Sequence, residues 1–312
     1  MEKQIENGFI FHTLELKPDY EGKVVATLIE KKSAKPAKKA LLYLHGFNDY
    51  FFQDHLAAWA NKLGFNFYAL ELRKYGRSIL PHQKPNDFRD IREYFEEIDK
   101  AIAFIREKDE NEKLAFIGHS TGGLIGALYA HDHRNDNLVD ALILNSPFFE
   151  FNVSPILKKT FIPLMVSLAG SFPRFPSPVG LDKGYGYSLH KSHNGEWDYE
   201  LKLKPDAGFQ IYAGWIKGIY TAQKELQKGL DIQCPVLVMH SARSVKPGNY
   251  KPEMQDADSV LNVEDIERFS HVIGKNVESA SFEDGLHDLL LSRKPVRDKV
   301  LQAMEDFLNK HL

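Results

Sequence analysis

The residues of this sequence best placed to do chemistry stand in a row, Gly118-His119-Ser120-Thr121-Gly122, between an apolar run at 114–117 and apolar residues that resume at helical spacing from Leu124. Strand, glycine-flanked serine and helix is the order that holds a hydroxyl on a tight turn, open to an electrophile. Glycines are needed on both sides for steric reasons, since side chains there would meet the adjoining strand and helix. The following helix presents its free N–H groups and positive end to any anion formed on an attacked carbonyl. The chemistry indicated is nucleophilic attack on an acyl carbon.

A serine hydroxyl needs a base, and the base needs an acid to orient it. Of the 13 histidines, His287 is the one that follows the last predicted strand, in Glu283-Asp284-Gly285-Leu286-His287-Asp288. His45 and His119 belong to turn motifs, and His311 lies near the C-terminus. The acid is displaced: its expected slot, after the predicted strand at 236–239, holds Ser241-Ala242-Arg243-Ser244 and no carboxylate. A polar, proline-containing insertion of about a dozen residues carries it to Asp258, with Asp256 as second choice. Val260 and Leu261 can anchor Asp258. After the predicted strand at 40–44 comes His45-Gly46-Phe47, where the Phe47 N–H can join that of Thr121 as a two-donor oxyanion hole. Losing one such donor costs about 3 kcal/mol of transition-state stabilisation.

These groups need a scaffold that brings strand ends together. Runs rich in β-branched and aromatic residues at 40–44, 65–70, 114–117, 141–144, 236–239 and 277–282 alternate with amphipathic stretches at 53–63, 89–107, 122–131, 214–227, 263–273 and 296–310. Alternation of this kind predicts a parallel sheet flanked by helices. A hairpin over 9–16 and 23–30 brings the expected total to about eight strands. The stretch 147–213, which opens on Pro147, breaks the pattern with six further prolines, at 155, 163, 173, 176, 178 and 205, and is expected to be an inserted lid between core parts 1–146 and 214–312. The lysine-rich segment 31–39 reads as an exposed turn.

Composition narrows the partners. A net charge of −3 over 312 residues argues against nucleic acid. The polar N-terminus lacks an apolar signal core, so a cytoplasmic location is expected, and the longest apolar stretch, 161–170, is about half of what a bilayer requires. Cys234, the single cysteine, reads as a buried structural residue. His131-Asp132-His133 and His190-x-x-His193 read as a helix terminus and a lid loop rather than metal sites, and since attack by a serine needs neither, no metal and no organic cofactor are expected.

The stretches "LLYLHGF" (41–47), "RKYGRS" (73–78), "FIGHSTGG" (116–123), "CPVLVMHS" (234–241), "DSVLNV" (258–263) and "GLHDLLLS" (285–292) together resemble serine hydrolases of the α/β-hydrolase superfamily grouped with monoacylglycerol lipases, lysophospholipases and serine aminopeptidases. The resemblance implies an α/β-hydrolase fold, Ser120 as nucleophile, His287 as base and Phe47 with Thr121 as oxyanion donors. "DSVLNV" looks like the segment that opens on the triad aspartate, which supports Asp258. The order Ser120, Asp258, His287 is that of the fold's triad. Two departures stand out: the insertion before the acid, and Lys74-Tyr75 in a loop that usually reads acidic-Arg-Gly-His.

The expected reaction is hydrolysis of a small-molecule acyl ester, lipid-like or short, through an acyl-enzyme. Phe148, Phe149, Met165 and Trp197 are the lid residues expected to contact it. A serine aminopeptidase, with Glu196, Asp198 or Glu200 binding the substrate amine, is the alternative. A ligand-binding protein with an idle triad is another. Dehalogenase and epoxide-hydrolase readings are disfavoured because serine stands where those chemistries use aspartate.

Overall fold

The computed structural model describes residues 3–312, and in these, nine strands form one sheet. At one edge, β1 (Lys3–Glu6) and β2 (Phe9–Glu15) form a hairpin across Asn7-Gly8, both at positive φ. β1 is the strand that the count of about eight omits: four largely polar residues give no apolar run, and the signal that could have found it is the Asn-Gly turn. β3 (Val25–Lys31) runs antiparallel to β2, with β4 (Lys39–Leu44) next in the chain.

Helix α1 (Asp54–Lys62) leads to β5 (Phe65–Glu71), which pairs antiparallel with β3 and parallel with β4. The predicted helix at 89–107 is a 3₁₀ turn opened by an Asp90/Glu93 capping box, then α2 (Phe95–Ala103), then a π turn at Phe104–Lys108. β6 (Lys113–His119), α3 (Thr121–Asp132) and β7 (Ala141–Asn145) follow. The stretch from 146 to 212 adds no strand to the sheet and holds three short helices, α4 (Pro155–Lys159), α5 (Phe161–Leu168) and α6 (Lys183–Leu189). α7 (Ala213–Leu226), β8 (Val236–Ser241), α8 (Val263–Ser270), β9 (Val277–Phe282) and α9 (Lys294–His311) complete the chain. The sheet order is β1-β2-β3-β5-β4-β6-β7-β8-β9, with β5 through β9 parallel.

The strand period of two sorts the core onto two faces. Ala40, Leu42 and Leu44 of β4 pack with residues of α2, α3 and α7, whereas Leu41 and Tyr43 pack with α1 and α9. A sheet covered on both faces needs continuous apolar strands, and all seven residues of β5 are buried.

The loop after β5 explains its unusual sequence. Arg73 reaches Glu97 of α2 (2.6 Å), Arg77 pairs with Glu71, and the fully buried Lys74 contacts Asp19 (2.6 Å) and Glu21 (2.9 Å) in the hairpin turn. Arg174 of the insert joins the same cluster through Glu21 (2.7 Å) and Asp87 (3.3 Å). Each cation is matched, as burial of charge demands. Cys234 is half-buried and precedes β8 rather than lying buried within a strand, and the burial it has pushes its thiol up to about 12, which suits an inert packing role. No helix among the described residues is long and apolar enough to cross a membrane.

Candidate active site

β6 passes into α3 through Ser120, whose φ of 51° and ψ of −113° put a non-glycine residue in strained backbone. Strain of this kind costs on the order of 1–3 kcal/mol and holds only where surroundings enforce it. A Cβ on Gly118 would stand 2.5 Å from the Gly122 carbonyl oxygen, and one on Gly122 would strike the carbonyls of Leu44 and His45. The Ser120 N–H donates to the Asn145 carbonyl (3.0 Å), fastening the turn to β7.

His287 follows β9 and sets Nε2 3.0 Å from Ser120 Oγ, while its Nδ1 lies 2.9 Å from Asp258 Oδ2. A carboxylate only accepts, so Nδ1 carries the proton and Nε2 offers its lone pair to the hydroxyl. Asp258 Oδ1 accepts from the N–H groups of Val260 (2.8 Å) and Leu261 (2.7 Å). Asp258 is fully buried, and His287 and Ser120 are 3% and 7% exposed.

The chain leaves the end of β8 and returns. The Val245 N–H donates to the Asp258 carbonyl (2.8 Å) and the Asp258 N–H to that of Arg243 (3.1 Å), so residues 246–257 form an excursion closed at its base. Asp258 therefore stands beside the strand end despite its distance in sequence. Asp256 is turned outward, 3.3 Å from Arg293 at the surface.

Three supporting residues were not singled out from the sequence. Asp288 Oδ1 accepts from Asn145 Nδ2 (2.7 Å), tying the histidine loop to the strand that holds the serine turn. Tyr185 presents its ring edge to His287 at 5.5 Å and accepts from the Asp288 N–H (3.2 Å). Only Asp288, adjacent to the histidine, left a signal. Asp49, His119 and Asp288 bring ligand-type atoms within 4.8 Å of one another, but Asp49 is paired with Lys204 and Asp288 with Asn145.

Gly46 lets its loop approach the serine turn, since a Cβ there would come within 3.1 Å of Ser120 Cβ. Phe47 and Thr121 line the same cavity as Ser120 and His287, and neither backbone N–H has a hydrogen-bond partner among the described residues. His45 fixes this loop: Nδ1–H donates to the Gly46 carbonyl (2.8 Å) and Nε2 accepts from the Leu72 N–H (3.1 Å).

That pattern requires a neutral ring, and burial pushes the His45 pKa down to about 4; burial does the same to His55. Between about 4 and 6.5 the unfolded chain then binds more protons than the folded one, so stability rises with pH in that window. The contribution is complete above about 6.5 and lost as pH falls, by roughly 2 kcal/mol for His45 on going from pH 7 to 5. Urea unfolding at the two pH values is expected to show a lower midpoint at pH 5; equal midpoints would contradict the buried, neutral assignment.

The cavity holds about 240 Å³. One part is apolar, with Phe148, Phe151, Phe161, Ile162 and Trp215, and another is polar, with Asn48, Asp49, Tyr199, Lys204 and Asp206. Of the four residues of the insert expected at the substrate, only Phe148 lies on the wall. Phe149 turns the other way and is fully buried, and Met165 faces inward from α5, 1% exposed, in the same packed core. Trp197 donates to the Leu291 carbonyl (2.7 Å) and packs on His55, away from the cavity. Glu196, Asp198 and Glu200 also lie off the wall, whose carboxylates are Asp49, Asp182 and Asp206. The rings of His131, His133, His190 and His193 are each hydrogen-bonded within the protein.

Comparison with solved structures finds the same fold at low identity. A soluble variant of monoglyceride lipase from Saccharomyces cerevisiae, in complex with a substrate analog, is 17% identical, with a TM-score of 0.67 over 97% of each chain. The monoacylglycerol lipase of Paleococcus ferrophilus is 18% identical, with a TM-score of 0.67 over 91% of this chain and 99% of its own. A thermostable carboxyl esterase from Bacillus coagulans, in complex with glycerol, is 14% identical, with a TM-score of 0.66 over 96% and 98%. No curated protein sequence matches. Residues 35–293 match the family described as serine aminopeptidase, S33, and this chain therefore belongs to that family of α/β-hydrolases.

Proposed function

We propose that the protein is a serine carboxylic-ester hydrolase that works through an acyl-enzyme. The observation that carries this reading is the hydrogen-bonded series from Ser120 Oγ through His287 to Asp258, opening on a largely apolar cavity. Ser120 attacks the ester carbonyl as His287 Nε2 takes its proton, and the imidazolium returns that proton to the leaving alcohol. Asp258 orients the ring and stabilises its charged form. The amides of Phe47 and Thr121 receive the oxyanion, and water then releases the acid by the same steps. Residues 147–213 act as a lid between the core parts 1–146 and 214–312. An apolar wall of aromatic side chains suits the acyl portion of a lipid-like or small ester.

A second reading rests on the cavity's carboxylates. Asp49 Oδ2 and Asp206 Oδ1 are buried without a hydrogen-bond partner, and a substrate ammonium would satisfy them, as an aminopeptidase requires. Lys204, 2.6 Å from Asp49, offsets part of that charge and favours the ester. Turnover of p-nitrophenyl esters graded in acyl length, set against aminoacyl p-nitroanilides, separates the two. Esters are expected to be cleaved at least about a hundredfold faster, the ratio given by roughly 3 kcal/mol of differential transition-state binding. Cleavage of the anilides alone would reject the esterase reading.

A further inference from the structure

The loop that carries Phe47 is held from two sides, and one of them is the insert. Toward the N-terminus, His45 is bonded to Leu72, next to β5. Toward the C-terminus, three consecutive residues each have a tether to segment 200–205. Asn48 Nδ2 donates to the Pro205 carbonyl (2.9 Å), Lys204 Nζ donates to Asp49 Oδ1 (2.6 Å), and the Glu200 N–H donates to Tyr50 Oη (2.7 Å).

These tethers are shielded from water. Asn48, Asp49 and Lys204 are 6%, 2% and 7% exposed. Asn48 also has a φ of 52°, a left-handed backbone that Asn tolerates better than most residues and that its side-chain bond helps to hold. Within the serine turn, the Thr121 amide is fixed by α3, whereas, among the described residues, 48–50 make no backbone hydrogen bond to a strand, and the nearest sheet tether on that side is the Phe51 N–H donating to Glu71 (3.3 Å). A displacement of about 1 Å in a group aimed at a reacting centre is enough to cost about a hundredfold in rate.

We propose that Lys204, together with Asn48 and Tyr50, is a positioning residue for the Phe47 amide, so that the insert completes the oxyanion site as well as covering the cavity. The inference rests on the assignment of Phe47 as an oxyanion donor. It implies that outward movement of segment 200–205 both opens the cavity and loosens the donor.

The test compares the full-length chain with the Lys204→Met, Lys204→Arg, Asn48→Gly and Tyr50→Phe variants. Asn48→Gly and Tyr50→Phe remove a tether without stranding a buried charge, and glycine keeps the positive φ; they hold the test open should Lys204→Met fold poorly. Each variant is assayed for kcat and KM on one p-nitrophenyl ester and for thermal midpoint. Each is also assayed for affinity toward an alkyl boronic acid, which forms an anionic tetrahedral adduct on serine, and toward a non-hydrolysable ether of the substrate. Lys204→Met is expected to lower kcat about 30-fold and to weaken the boronate more than the ether, while Tyr50→Phe, at a residue off the cavity wall, should lower kcat and boronate affinity about fivefold with KM and ether affinity within about twofold. Asn48→Gly should lower kcat about tenfold, and Lys204→Arg should recover most of the loss.

Unchanged kcat in folded Lys204→Met and Asn48→Gly would overturn the proposal. So would parallel losses of boronate and ether affinity with a lowered thermal midpoint, which mark a purely structural role. Ser120→Ala separates the two levels. If it is inactive while the tether variants are normal, only this inference fails; if it remains active, the reading of the site fails.

Discussion

Ser120→Ala is expected to lower kcat for ester hydrolysis by on the order of 10⁵- to 10⁶-fold and to leave folding intact. The size follows from the mechanism: without the hydroxyl no acyl-enzyme forms, and the remaining donors act only on direct attack by water. Residual catalysis on the order of 10³-fold over solution is expected from the oxyanion donors and binding alone. The second readout is covalent. A fluorophosphonate should label the wild-type chain once, on the peptide that contains Ser120, and should not label the variant. Labelling of another serine with activity retained would place the chemistry elsewhere.

The second large effect concerns the acid. Asp258→Asn is expected to lower kcat on the order of 10⁴-fold, and Asp256→Asn to change it less than about twofold. Asparagine can keep an oxygen toward the Val260 and Leu261 amides, so its NH₂ is turned toward His287 Nδ1. That contact favours the tautomer with the proton on Nε2, which cannot take one from Ser120. Asp256 faces Arg293 at the surface, where an ion pair is worth little and the triad is untouched. Circular dichroism of both variants checks that folding is equal. Comparable loss in both, or loss only in Asp256→Asn, would reject the assignment.

The parts of the molecule that were legible in the sequence are those written locally. Alternating β and α patterns repeat six times after residue 39, and the glycine-flanked serine fixes one strand-to-helix turn. His287 was found because it follows the last strand. Directions of single side chains were not legible in the insert, where no period says which way a residue faces. Phe148 meets the cavity and Phe149 the core, although they are neighbours of one type. Trp215, on the cavity wall, belongs to an ordinary amphipathic helix and announces nothing. Asp258 could be favoured over Asp256 but not fixed, because the deciding fact is the closure of an excursion at its base. The tethers of Asn48 and Lys204 were invisible for the same reason, spanning more than 150 residues of chain.

The closed base of residues 246–257 has a consequence for engineering. Because Val245 and Asp258 are bonded to each other, the exposed residues 251–253 can change without displacing the carboxylate, whereas Pro247 and Gly248 line the cavity and Met254 is buried. Doubling the length of a flexible loop adds only about 0.6 kcal/mol of closure entropy. The tip at 251–253 is therefore a natural graft point, where a peptide tag or small reporter domain can be inserted a few residues from Asp258 while the carboxylate keeps its alignment.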